Sequence, residues 1–140
     1  MTNLFYEKAE GLKKKLSLLT TDERYQLLIQ MGQKLSPFPE EYRTPDRIVP
    51  GCQSTLYLLS TLSDGKLYFK AQADALISAG LAALLIAAYS GESPETILTC
   101  PPDFITELGI TASLSLNRSN GLANIHLRMK QEALKNLVKF

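Results

Sequence analysis

The 140-residue chain offers few side chains for chemistry: two cysteines, Cys52 and Cys100, and one histidine, His126. Cys52 stands in the run Val49-Pro50-Gly51-Cys52-Gln53-Ser54. Proline then glycine suits the two central positions of a type II turn, because proline presets φ and glycine accepts positive φ. Such a turn presents a thiol at a defined tip, as a nucleophile or sulfur acceptor requires. If the alternation of the following strand runs back to residue 52, the thiol shares a face with Ser54, Leu56 and Leu58 and is partly shielded from water. The position also suits a small hydrophobe that merely closes the end of a sheet. His126 could serve Cys52 as a partner distant in sequence, or simply be a half-buried helix histidine. Cys100, in Thr99-Cys100-Pro101-Pro102, has no base nearby and reads as a packed corner. Arg118 lies in a polar cluster, Leu114 to Leu122, that opens a helix. Free backbone N–H groups and an arginine there could favour an anion or a thiolate. The alternative is plain capping by Asn117 or Ser119 with a solvated arginine. Asp74 reads as a helix cap rather than an acid, and Lys13-Lys14-Lys15 as a solvated face.

Composition narrows the setting. Fifteen basic against fourteen acidic side chains leave a net charge of +1, which argues against a nucleic-acid footprint. Twenty-five leucines against two valines favour helices over an all-β sandwich. Met1 to Leu19 lacks the apolar stretch of a signal peptide, and the longest apolar run, Ala79 to Tyr89, is too short to span a bilayer. The expectation is a cytoplasmic protein without a membrane partner, in which a disulfide between the two cysteines is not expected. One histidine and two cysteines are too few for an all-Cys/His zinc site.

The elements that must position Cys52 read as one α+β domain over residues 1–140, with residues 1–19 as an N-terminal helical segment. Phe5, Ala9, Leu12, Leu16 and Leu19 follow helical spacing. Thr20 and Glu23 form a capping box for a helix whose face is Tyr25, Leu28, Ile29, Gly32 and Leu35, stopped by Pro37. Ser36 to Pro50 holds four of the seven prolines and is a stiff connection. Asp64-Gly65 predicts a two-residue type I′ hairpin, with Leu62 opposite Leu67, Ser60 opposite Phe69 and Leu58 opposite Ala71. One face then carries Leu56, Leu58, Leu62, Leu67 and Phe69. The other carries Tyr57, Leu59, Thr61, Tyr68, Lys70 and Gln72, and is more polar. A helix capped by Asp74 and ended at Ser90-Gly91 would cover the leucine face. Ser93-Pro94 and Pro101-Pro102 read as short helix starts with proline in the first turn. A last helix from about Ser119 to near Val138 presents Leu122, Ile125, Met129, Ala133 and Leu137.

Three segments in order resemble the SufE family of sulfur-acceptor proteins, with its CsdE branch. They are Val49-Pro50-Gly51-Cys52-Gln53-Ser54, Ala73-Asp74-Ala75 through Gly80-Leu81, and Leu116-Asn117-Arg118-Ser119-Asn120-Gly121-Leu122. The resemblance covers about residues 20–138, and Tyr57 stands where the family frequently has tryptophan. It implies an α+β fold, a small curved antiparallel sheet packed by helices and shared with scaffold proteins of the IscU type. It implies that Cys52 takes persulfide sulfur from a SufS-type cysteine desulfurase and stimulates that enzyme. The sulfur would then pass to a SufB-containing iron–sulfur assembly scaffold. Pyridoxal phosphate belongs to the desulfurase, so no cofactor bound to this chain is implied. Gly51, Gln53, Ser54, Asp74 and Arg118 would support the cysteine, and Arg118 or the helix start beside it would help form the thiolate. The Pro50–Ser54 loop would swing out when the desulfurase docks. Two rivals remain: a docking activator in which Cys52 only packs, and a stand-alone Cys–His thiol enzyme. A homodimer is left open.

Overall fold

The computed structural model describes residues 2–52, 54–110 and 114–137. Asp64 and Gly65 have φ of 51° and 77°, the pair of positive values that a type I′ turn demands. That turn joins β1 (Leu56–Ser63) to β2 (Lys66–Ala73) in an antiparallel pair, in the predicted register. Leu56, Leu58, Leu67, Phe69 and Ala71 are buried on one face. Two leucines depart from expectation. Leu62, one pair from the turn, is 46% exposed. Its partner Leu67 is covered, because Leu67 exchanges backbone hydrogen bonds with Gly91 and Glu92 along the outer edge of β2. Leu59, expected on the more polar face, is buried and lines a cavity with Tyr42 and Arg47.

Helices precede and follow the hairpin: α1 (Thr2–Ser17), α2 (Thr21–Gln33), α3 (Leu76–Tyr89), α4 (Pro94–Thr99), α5 (Asp103–Glu107) and α6 (Leu116–Leu137). Two short 3₁₀ turns, Glu40–Tyr42 and Pro45–Arg47, lie in the proline-rich connection. The class is therefore α+β with an antiparallel sheet of two strands among the described residues. Thr20 and Glu23 form the expected capping box, each accepting the other's backbone N–H.

Helix α3 is the centre of the packing, with Gly80 to Leu85, Ala88 and Tyr89 all buried. It lies against α1, α2, β2 and α6. Against α2 the approach is backbone to backbone: a Cβ on Gly80 would collide with the Leu28 carbonyl. Phe5, Ala9 and Leu16 of α1 join the same core as Leu122, Ile125, Met129 and Ala133 of α6. Lys8 fastens α1 further, through a 2.6 Å ion pair with the buried Glu92. Among the described residues no helix is long and apolar enough to cross a membrane.

Four local expectations need correction. The cap of α3 is Ala75, without a side-chain bond, because the Asp74 N–H still serves the hairpin by donating to Thr55 O at 3.3 Å. Helix α6 starts at Leu116, capped by Ser115, whose hydroxyl accepts from the Arg118 N–H at 3.3 Å. The expected capping side chain of Asn117 lies outside the described residues. Pro102 stands before α5 as its cap, whereas Pro94 does open α4 behind the Ser93 cap. Leu137 is 44% exposed and leaves the core face of α6.

Gly80→Ala should lower unfolding stability by about 2 kcal/mol, since backbone must move to admit the methyl group. Gly11→Ala, in α1 with nothing within 4 Å of a new Cβ, should raise it by about 0.8 kcal/mol. Urea denaturation midpoints of the two variants check both signs.

Candidate functional site

Cys52 sits on the short arm between the proline-rich connection and β1. The arm starts from Val49, which is buried and donates its N–H to Leu56 O at 2.8 Å. Pro50 and Gly51 then turn the chain, with Gly51 at φ 80° as the sequence predicts. Cys52 follows, half-buried, with Sγ 3.9 Å from the Gly121 carbonyl oxygen and packed against the core. Ser54 closes the arm by a 3.1 Å hydroxyl–hydroxyl bond to Ser78 in the first turn of α3.

One stripe of α6 meets this part of the chain between Asp46 and Cys52. Gly121, Asn124 and Arg128 are spaced by three and four residues and so share a helix face. Gly121 lies under the thiol, and a Cβ there would be in van der Waals contact with Sγ. The Asn124 amide donates to Gly51 O at 3.2 Å. The Arg128 guanidinium donates to the carbonyls of Ile48, at 3.1 Å, and Asp46. Arg128 also pairs with Glu132 at 3.3 Å, and Glu132 accepts from Ser60 at 2.8 Å and Lys135 at 3.2 Å. Burial alone would raise the Glu132 carboxyl, but the donors Ser60, Lys135 and Arg128 bring it below its ordinary value. The sequence reading missed Asn124 and Arg128. The available signal was a polar stripe flanking the apolar face of α6, at three and seven residues beyond Gly121.

Burial pushes the Cys52 thiol above its ordinary value, and no charged group counters it. Arg118, in the first turn of α6, is exposed and is not among the groups acting on the thiol. Asp74 is exposed, and its N–H bonds Thr55 behind the arm. Gln53 lies outside the described residues. Cys100 is buried, with its carbonyl accepting from the Tyr89 hydroxyl at 2.6 Å.

His126 does not join Cys52. Helical geometry places residue 126 about 140° around the axis from residue 121, so α6 itself stands between the two side chains. The His126 ring stacks on Tyr89, centroids 5.3 Å apart, and its Nε2 is buried without a partner. Burial, and then the Lys130 charge, pull its pKa down to about 4. Among the described residues no group of three or more His, Cys, Asp or Glu side chains could hold a metal ion.

A family model described as "SufE: Fe-S metabolism associated domain" matches residues 10–133. The chain belongs to the SufE family. Membership connects it to iron–sulfur metabolism. The cysteine desulfuration protein SufE of Wigglesworthia glossinidia brevipalpis is 32% identical over 140 residues, covering 98% of this chain and 96% of that one. An uncharacterised SufE-like protein of Synechocystis is 38% identical over 112 residues, 80% of this chain and 70% of its own. The solution structure of a hypothetical protein from Thermus thermophilus superposes with a TM-score of 0.80 at 25% identity, covering 94% of this chain and 97% of that one. The α+β architecture expected of a SufE protein is therefore the observed one.

Two pH dependences follow. Iodoacetamide labelling of Cys52 in the folded protein should reach half its maximal rate above the pH of about 8.5 expected of a free thiol, and return to ordinary behaviour in urea. For His126 the folded pKa of about 4 lies below the free value of 6.5, so between these values the unfolded chain binds the extra proton. Its contribution to stability is complete above pH 6.5 and declines as the pH falls toward 4. Thermal melts across that range should show this component in the natural protein and not in His126→Phe.

Proposed function

We propose that Cys52 is a sulfur acceptor: it takes the outer sulfur of a persulfide formed by a SufS-type, pyridoxal-phosphate cysteine desulfurase. The protein would stimulate that enzyme by removing its product, and pass the sulfur to a SufB-containing assembly scaffold. On this reading it is a carrier that turns over only with its partner. The observation that carries the proposal is the placement of Cys52, next to a glycine turn, on an arm that lies on the core without being part of it.

In the transfer, the Cys52 thiolate attacks the terminal sulfur of the desulfurase persulfide. A new S–S bond forms on Cys52, the old one breaks, and the desulfurase cysteine leaves as a thiolate. The number of S–S bonds is unchanged, so no oxidant or reductant is needed. The thiol must lose its proton first, and burial opposes that in the free protein. Docking that draws Cys52 out of its recess would relieve the desolvation and deliver the thiolate only where a persulfide waits. Returned to the recess, the persulfide would be shielded from water and stray oxidants.

Support also comes from the printed name of the Wigglesworthia relative, a cysteine desulfuration protein aligned over almost the entire chain. The Cys–His enzyme reading loses its pair, since His126 faces Tyr89.

Incubation with a cysteine desulfurase and free cysteine, without reductant, should add one or more sulfur atoms to the intact mass. The addition should map to Cys52, vanish in Cys52→Ser and persist in Cys100→Ser. Desulfurase stimulation that survives in Cys52→Ala, with no added mass in the natural protein, would instead mark a docking activator.

A further inference from the structure

The Cys52 arm has two firm ends and a weakly held middle. Upstream, Arg128 holds the Asp46 and Ile48 carbonyls while its own side chain is only 15% exposed, and Val49 is locked into the β1 edge. Downstream, Thr55 O accepts from the Asp74 N–H. Between these ends, the described residues of the arm have three attachments. They are the Ser54–Ser78 hydroxyl pair, the long 3.9 Å contact of the Cys52 thiol on the Gly121 carbonyl oxygen, and the hydrogen bond from Asn124 to Gly51 O. Among the described residues only the Asn124 bond reaches the Gly51 apex of the turn, one residue from the thiol.

The apex is shaped for that amide. Gly51 has φ 80°, and a Cβ at this residue would collide with the Asn124 amide nitrogen. The amide therefore seats directly on the turn, where any side chain would displace it. The bond is exposed to solvent, so water can replace it when the arm lifts. Breaking it costs little, whereas Arg128 holds the upstream end by two charge-assisted bonds, the one to Ile48 part-buried.

We propose that Asn124 is the latch of the Cys52 arm, a positioning residue whose hydrogen bond to Gly51 sets how often Cys52 lifts off α6. As a device for sulfur transfer this rests on the acceptor reading of Cys52. Arg128 is the fixed pivot and Asn124 the release.

The test uses full-length protein carrying Cys100→Ser, so that iodoacetamide reports Cys52 alone. With Asn124→Ala, native labelling should be about fivefold faster, the factor that corresponds to one hydrogen bond of ordinary net strength. Asn124→Asp, which sets an acceptor against the Gly51 carbonyl, should be faster still. Thermal midpoints and labelling rates in urea should match those of the parent. Gly51→Ala should also speed labelling, and by a smaller factor once Asn124 is already alanine, because the collision with the amide is then gone. Equal native rates in Asn124→Ala and its parent would overturn the latch. So would faster labelling accompanied by a lower thermal midpoint, since α6 itself would then have loosened. Sulfur loading is read separately by mass. Faster labelling without any sulfur on Cys52 leaves the latch standing and removes the acceptor role, and the opposite pair of results does the reverse.

Discussion

Helix α3 has no charged face to offer water. Eight of its fourteen residues are buried, and no charged side chain occurs between Leu76 and Tyr89. A helix that is apolar all round must be covered on every side, so α1, α2, β2 and α6 are arranged as its coat. The glycine crossing with α2 lets one part of that coat come closer than side chains would allow. The Asp64-Gly65 turn fixes another by holding Leu56, Leu58 and Leu67 on one face of the hairpin.

The functional arm follows from the same demand. Once α6 turns Leu122, Ile125, Met129 and Ala133 toward α3 and its neighbours, the stripe beside them is left facing the proline-rich connection. That stripe carries a gap at Gly121, an amide at Asn124 and a guanidinium at Arg128. The connection enters with backbone carbonyls free, and the two donors satisfy them. Cys52 comes to rest where the connection meets the gap, inside the coat's edge yet outside the core. Its raised pKa and its shielding have one cause, the partial loss of water around the sulfur.

What could be read in the sequence was whatever depends on neighbours in the chain. The hairpin register, the Thr20–Glu23 capping box and the Pro50-Gly51 turn each lie within a few residues of one another, and all are present. The α3 cap differs from expectation because Asp74 has a competing backbone partner in Thr55, on the other side of the hairpin. The start of α6 differs because Ser115 supplies a cap ahead of Asn117 and Ser119. Asn124 and Arg128 showed in the sequence only as a polar stripe, and their role was hidden for a different reason. Their partners are carbonyl groups of the loop, which carry no residue identity, so nothing in the sequence marks the pairing. Arg118 stood out in the sequence as the group to assist the thiol, yet its exposed side chain leaves Cys52 to desolvation alone.

The first nine residues lie outside the stretch matched by the family model, yet Phe5 is 0% exposed. It stacks on Tyr89 with ring centroids 5.0 Å apart, and Tyr89 in turn carries His126. Lys8 neutralises Glu92, which would otherwise be a buried carboxylate without a counter-charge. The edge of the shared family pattern is thus not the edge of the folded body. A chain trimmed to the matched stretch would expose an aromatic column and strand an acid, so the architecture here is completed by a segment outside the family-model match.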